Sequence, residues 1–299
     1  MASRICALLM VLGALACNEY GTPPRDPFTQ ISAGYQHACG LKMDRTVACW
    51  GLDWYDKATP PAGTFIQVSA GGSHSCGLKA DSTVACWGND YYGEASPPPG
   101  RFTQVSAGWA HTCGIKVDGT VACWGDNRSG QATPPTGRFA QLSAGGPDTC
   151  GLRADGMIIC WGDNYYRQAI PPPGRFTQVS VGGAGEAGPA GTAHACGLKI
   201  DGTVACWGDS FYGQASPPAG TFIRVSAGQQ HTCALKRGGG VACWGWNYFK
   251  QAKPPAGTFT QVSAAGSLTC VLASNSKVTC WGGEPTTVRP RRPRSSRGD

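Results

Sequence analysis

Apolar and polar residues alternate along short runs of five or six positions, and no stretch keeps a helical period for long. Phe102–Ala107 (FTQVSA), His111–Lys116 (HTCGIK) and Thr120–Gly125 (TVACWG) are three such runs. Each is bounded by Gly, Pro, Asp or Asn, which is the signature of half-buried β-strands. The triplet recurs seven times, opening at Phe28, Phe65, Phe102, Phe139, Phe176, Phe222 and Phe259. Successive openings lie 37 residues apart, except for one interval of 46, where a nine-residue Gly/Ala-rich insertion falls within Gly182–Ala193. A unit this short cannot enclose a core alone, so neighbouring units must cover one another. Seven such units predict an all-β fold, a seven-bladed β-propeller of three- to four-stranded antiparallel blades. A β-solenoid is the alternative, although its repeats are usually shorter. A fourth strand would have to come from the Q-A-T-P-P segment, where proline limits pairing to an edge.

Within each copy the second and third strands flank a three-residue loop, Val117-Asp118-Gly119 in the third copy, with the glycine at positive φ. Counting outward from that loop sets Lys116 opposite Thr120, Ile115 opposite Val121, Gly114 opposite Ala122, and Cys113 opposite Cys123. Directly opposed residues on one face lie about 4.5–5.5 Å apart at Cα, close enough for a disulfide. The same register pairs Cys39 with Cys49, Cys76 with Cys86, Cys150 with Cys160, Cys196 with Cys206, Cys233 with Cys243, and Cys270 with Cys280. Each bond would close a loop worth about 3 kcal/mol in the chain-entropy model. Zinc would need clustered tetrahedral ligands, which isolated pairs do not supply, so no metal is expected.

The ends of the chain change the picture. Residues 1–16 combine Arg4 with an apolar core from Ile5 to Ala16, too short to span a bilayer, and Ala14-Leu15-Ala16 is a small-x-small cleavage site. They read as an export signal. Cys17 follows directly, as in bacterial lipoprotein signals, so lipidation at Cys17 is expected ahead of plain secretion, and the location is secreted or outer-membrane/cell-surface. The propeller is assigned to residues 17–283. Asn18–Pro24 (NEYGTPP) resembles the N-x-x-G-Q-x-x-P-P piece missing after Trp281-Gly282, and is expected to complete the last blade and latch the ring. Residues 284–299 form a basic tail expected to be disordered. The formal net charge of +7 is concentrated there: Val288–Asp299 carries five Arg and one Asp. The rest is close to neutral overall, which argues against a nucleic-acid partner.

The repeat S-A-G-x-x-H-T-C-x-L-K-x-D-G-T-V-x-C-W-G-x-N-x-x-G-Q resembles that of the regulator of chromosome condensation family, from Phe28 to about Gly283. The resemblance implies a seven-bladed propeller. The short repeat ending in Pro-Pro is similar to a bacterial secreted branch that includes a propeller-type β-lactamase inhibitor. The eukaryotic founder is a nuclear nucleotide-exchange factor for a small GTPase. The export signal, the shorter repeats and the paired cysteines depart from it, so exchange activity is not implied, and fold alone does not give function.

All five histidines, His37, His74, His111, His194 and His231, share one repeat position, held by Asp148 and Leu268 in copies four and seven. A residue repeated around a ring reads as a framework hydrogen-bonder, because catalysis needs different groups brought together. Asp118, Asp155 and Asp201 read as turn residues. No catalytic constellation and no cofactor site stand apart from the repeat. Seven Phe and seven Trp are core by periodicity. The remaining aromatics fall in the loop after each W-G: Trp54, Tyr91, Tyr165, Phe211 and Tyr248, with Trp246 beside them. The following residue, Tyr55, Tyr92, Tyr166, Tyr212 or Phe249, is often aromatic in the family and reads as framework. Equivalent propeller loops share one rim, so the first set predicts an aromatic arc, interrupted by Arg128-Ser129. Trp109 lies in another loop and marks a separate point. Rigid loop aromatics suit a binding surface, with blade-to-blade packing as the structural alternative. The expected function is therefore non-enzymatic: a monomeric exported propeller that binds an extracellular or cell-surface protein. A lectin-like role, with the same rings stacking on sugars, is the alternative.

Overall fold

In the computed structural model, residues 23–183, 185 and 193–283 are described. They form seven three-stranded antiparallel sheets, one per repeat. Blade 1 consists of β1 (Phe28–Ala33), β2 (His37–Lys42) and β3 (Val47–Gly51), from the channel outward, and blade 7 of Phe259–Ala265, Leu268–Ala273 and Val278–Gly282. No blade has a fourth strand among the described residues. The Pro-Pro segments connect blades without joining a ladder, as expected of residues that lack a backbone donor. Asn18–Thr22, expected to latch the ring, lies outside the described residues, as do residues 1–17 and 284–299, where the export signal, the lipidated cysteine and the basic tail are expected.

The hairpin register is the one read from the loop. Ile115 faces Val121, Gly114 faces Ala122, and Cys113 faces Cys123. Gly119 closes the turn at φ +84°, and Asp118 accepts from both the amide and the hydroxyl of Thr120. All seven expected disulfides are formed. Their Cα atoms lie 4.0–4.1 Å apart, closer than the 4.5 Å expected at the short end, because each pair occupies the narrow, non-hydrogen-bonded kind of antiparallel site.

The core lies between blades, not within them. Cys39 and Leu41 of blade 1 pack against Phe65, Val68 and Trp87 of blade 2, and the same arrangement recurs around the ring. At the closing seam, Leu268, Cys270 and Leu272 of blade 7 pack on Phe28, Ile31 and Trp50 of blade 1. In blades 1–5 the Phe ring lies over a glycine of the middle strand: a Cβ on Gly40 would lie within 2.4 Å of Phe28. Side chains also clasp the inner strands together. Gln30 donates to the carbonyl of Val68 and accepts from its amide, and Ser32 accepts from the amide of Ala70. At the closing seam Ile31 N donates to Gln261 and Ala33 N to Ser263, as at the internal seams, while the Gln261 amide donates to Thr29 O.

This topology sorts the loops into two ends. The loops joining inner to middle strands and those leaving the outer strands share the upper end, where Leu52 N donates to Gln36 O and Asp126 N to Ala110 O. The hairpins and the starts of the inner strands share the lower end, where Phe65 N donates to Arg45 O.

Candidate functional site

The loop after each outer strand is held by its own framework. Asp53 accepts from Ala58 N and Thr59 Oγ1, and Asp90 accepts from Ala95 N and Ser96 Oγ. A buried side chain of the following G-Q position then accepts from the backbone of the second aromatic. Tyr92 N donates to Glu94, Tyr166 N to Gln168, Tyr212 N to Gln214, and Phe249 N to Gln251. The second ring is thus fixed through its backbone, and the first is carried outward on the turn.

The first rings are exposed: Trp54 by 57%, Tyr91 by 80%, Tyr165 by 60%, Phe211 by 84% and Tyr248 by 78%. Four of them meet the second ring of their own loop edge to face, at centroid distances of 4.8–5.0 Å. Trp246 is half-buried and joins two blades. It lies 5.8 Å from Tyr212 of blade 5, stacks on Tyr248 at 6.2 Å and meets Phe249 at 5.1 Å. Phe211, Tyr212, Trp246, Tyr248 and Phe249 therefore form one continuous apolar patch. Tyr91–Tyr92 and Tyr165–Tyr166 form further edge-to-face pairs on blades 2 and 4. At the interruption in blade 3, Arg128 places its guanidinium 4.9 Å from the Tyr92 ring centre and pairs with Asp126 at 2.9 Å, so a cation spans the gap.

Trp109 sits apart from the arc, nearer the axis. It is half-buried, meets Tyr35 of blade 1 edge to face at 4.8 Å and packs over Gly72, where a Cβ would lie within 3.0 Å of its ring. Both rings line the central channel, a cavity of about 150 Å³ bordered by the inner-strand serines. Trp109 also borders a groove of about 240 Å³ with Asp126, Arg128, Gln131, Pro147 and Gly185.

The histidines are fully buried. Each Nε2 meets a hydroxyl on the next blade: His37 with Ser75, His74 with Thr112, His111 with Thr149, His194 with Thr232, and His231 with Thr269, at 2.6–2.8 Å. Burial holds the imidazoles down at about 3, and at about 4 for His111. Where the histidine is absent, so is the hydroxyl. Asp148 and Leu268 precede blades that carry Ala195 and Ala38 in the receiving position. That covariation was readable in the sequence, by comparing each copy with the next. Among the described residues no group of three or more His, Cys, Asp or Glu is placed to hold a metal.

The model of the regulator of chromosome condensation (RCC1) repeat matches six segments, residues 28–53, 65–94, 102–131, 139–168, 190–214 and 222–251. No curated protein sequence matches the chain. Among solved structures, the chain is similar to the ectodomain of the Physcomitrella patens receptor kinase CR4, with 28% identity, a TM-score of 0.70, and coverage of 86% of this chain and 75% of that one. The CRINKLY WD40 ectodomain of the Arabidopsis thaliana receptor kinase ACR4 is similar at 27% identity and a TM-score of 0.70, covering 87% of this chain and 99% of that one. Prp20p of Saccharomyces cerevisiae shares the fold at 14% identity and a TM-score of 0.66, with coverage of 79% and 80%. With that repeat recurring over more than half of its length and one blade formed by each copy, the chain belongs to the regulator of chromosome condensation (RCC1) repeat family.

Proposed function

We propose that this protein is an exported propeller that binds a protein partner through the aromatic rings of its upper face. The continuous patch from Phe211 to Phe249 carries the reading. Five contiguous rings on two blades offer a rigid apolar contact of the kind that anchors protein interfaces, whereas sugars are held by separated rings beside free polar groups. The further pairs at Tyr91 and Tyr165 leave room for the lectin-like reading. Seven disulfides support an oxidising compartment, as does similarity to receptor ectodomains. In this reading the first residues are an export signal and Cys17 carries a lipid. Cys17→Ser then releases the protein from membrane fractions into solution.

The test compares Phe211→Ala and Tyr248→Ala with the parent chain, in capture from the native cell surface and on a glycan array. Both variants should keep the parental melting temperature, because the rings are exposed. Each should lose about 2 kcal/mol of partner binding. Unchanged capture would remove the patch from the interface. Array binding lost in the variants would replace the protein partner with a glycan.

A further inference from the structure

The modest net positive charge of the propeller conceals a sorting of charge between its ends. At the lower end, middle strands close on Lys42, Lys79, Lys116 and Lys199, and Arg101, Arg138 and Arg175 precede inner strands. Thirteen of the nineteen lysines and arginines among the described residues lie there, with six of the fourteen acids. The excess is seven positive charges, and the upper end holds more acids than bases. Four of the six acids, Asp44, Asp81, Asp118 and Asp201, are occupied in capping the threonines of their turns. One of the thirteen cations, Lys42, is ion-paired, with Asp26 at 3.1 Å.

The same hairpins end in apolar residues. Met43, Val117 and Ile200 stand next to Lys42, Lys116 and Lys199 and are 61–67% exposed. Between blades 5 and 6, a groove of about 320 Å³ has Leu198, Ile200 and Ile223 along it, with Lys199 and Arg237 at its sides. The described chain also enters at this end, where Pro23 leads into β1 six residues after Cys17, a span of at most about 20 Å.

A soluble polyanion is held by cations alone and would leave the apolar tips in water. A bilayer takes both: cations at the phosphate level and apolar tips in the interfacial layer. We propose that the lower face docks on a bilayer of anionic phospholipid, with the hairpin tips in the headgroup layer and the aromatic face turned away. This contact is additional to any lipid on Cys17, and it stands whether or not the aromatic patch binds a protein.

The experiment uses the exported chain carrying Cys17→Ser, so that no acyl chain contributes. It is sedimented with vesicles of mixed phosphatidylglycerol and phosphatidylcholine, and with vesicles of phosphatidylcholine alone. Binding to the mixed vesicles only is expected, weakening at least about tenfold as salt shortens the Debye length from about 10 Å to about 3 Å. Arg101→Glu, Arg138→Glu and Arg175→Glu together should weaken it about a hundredfold. Val117→Asp with Ile200→Asp should weaken it about tenfold. Tyr248→Ala should leave it unchanged. Each variant is first required to melt with the parent, and glutamine replaces glutamate where reversal disturbs folding. No binding, or equal binding to both vesicle types, overturns the proposal. So does retention on immobilised dextran sulfate that is indifferent to the tip variant and unaccompanied by vesicle binding, which would mark a surface for soluble polyanions.

Discussion

The seam between blades 2 and 3 and the seam between blades 4 and 5 share one plan but differ in a buried pair. In the first, His74 meets Thr112 at 2.6 Å, Thr112 donates onward to Glu94 O, and Gln67 and Ser69 clasp the next inner strand. In the second, the clasps of Gln141 and Ser143 persist, but Asp148 replaces the histidine and Ala195 the threonine. Among the described residues neither carboxyl oxygen of Asp148 has a partner, and the residue is fully buried. Burial, and then the charge of Asp163, push its carboxyl well above the usual carboxylate range. The blade sequences differ little, yet one seam buries a neutral imidazole bonded through Nε2, its Nδ1 without a partner among the described residues, and the other buries an acid kept from ionising.

The largest expected effect separates the two by pH. The unfolded histidines take up protons below about 6.5, whereas the folded ones stay neutral to about 3 or 4. The stability from the five histidine seams is complete above pH 6.5 and is lost as pH falls toward 4. Asp148 works in the opposite direction. Its folded carboxyl stays protonated where the unfolded one ionises, so its contribution declines as pH rises from about 4 to the raised folded value. Thermal melts should therefore fall steeply below pH 6.5. Asp148→Asn should melt above the parent at pH 8, with a smaller gap at pH 5. Melts flat from pH 7 to 4 would contradict the histidine assignment.

Next in size is a truncation pair. His74→Ala empties a buried site and removes one of the two bonds of the Thr112 hydroxyl, a loss of about 3 kcal/mol in chemical denaturation. Asp148→Ala removes an unsatisfied acid and should cost less than about 1 kcal/mol or stabilise. The smallest effect concerns the clasp. Blade 6 carries Arg224 where other blades carry the clasping glutamine, and its neighbour Val262 lacks that bidentate contact. Arg224→Gln should restore it and add about 1 kcal/mol. No gain would mean that the glutamine clasps carry little of the seam.

Much of the fold was legible because its information is local. The hairpin register followed from three loop residues, and the cysteine pairs from the register. The exposed aromatic loops followed from their place after W-G. What sits between blades was harder to read, because it joins residues one repeat apart. The Gln30–Val68 clasp and the His74–Thr112 bond link positions separated by 38 residues, and neither leaves a mark inside a single copy. The charge sorting was hidden for another reason. Hairpin lysines and upper-loop aspartates nearly cancel along the chain, and only the up-and-down course of each blade sends them to opposite ends. The tryptophans also needed three dimensions. The sequence sets Trp109 and Trp246 in different loops, but only the fold shows that one braces the channel mouth against Tyr35 and the other bridges two blades.

The glutamine and serine clasps have a consequence for aggregation. The free edge of a β-sheet is a row of unpaired amides and carbonyls that invites strands from other molecules. Here each inner strand has that row partly occupied by the previous blade: Gln104 by taking both polar groups of Leu142, Ser106 by taking the amide of Ala144. A primary amide side chain thus stands in for a neighbouring peptide group. At blade 7, where the glutamine is missing, the preceding blade presents the exposed cation of Arg224 beside the uncovered stretch, and charge is another means by which sheet edges repel unwanted partners.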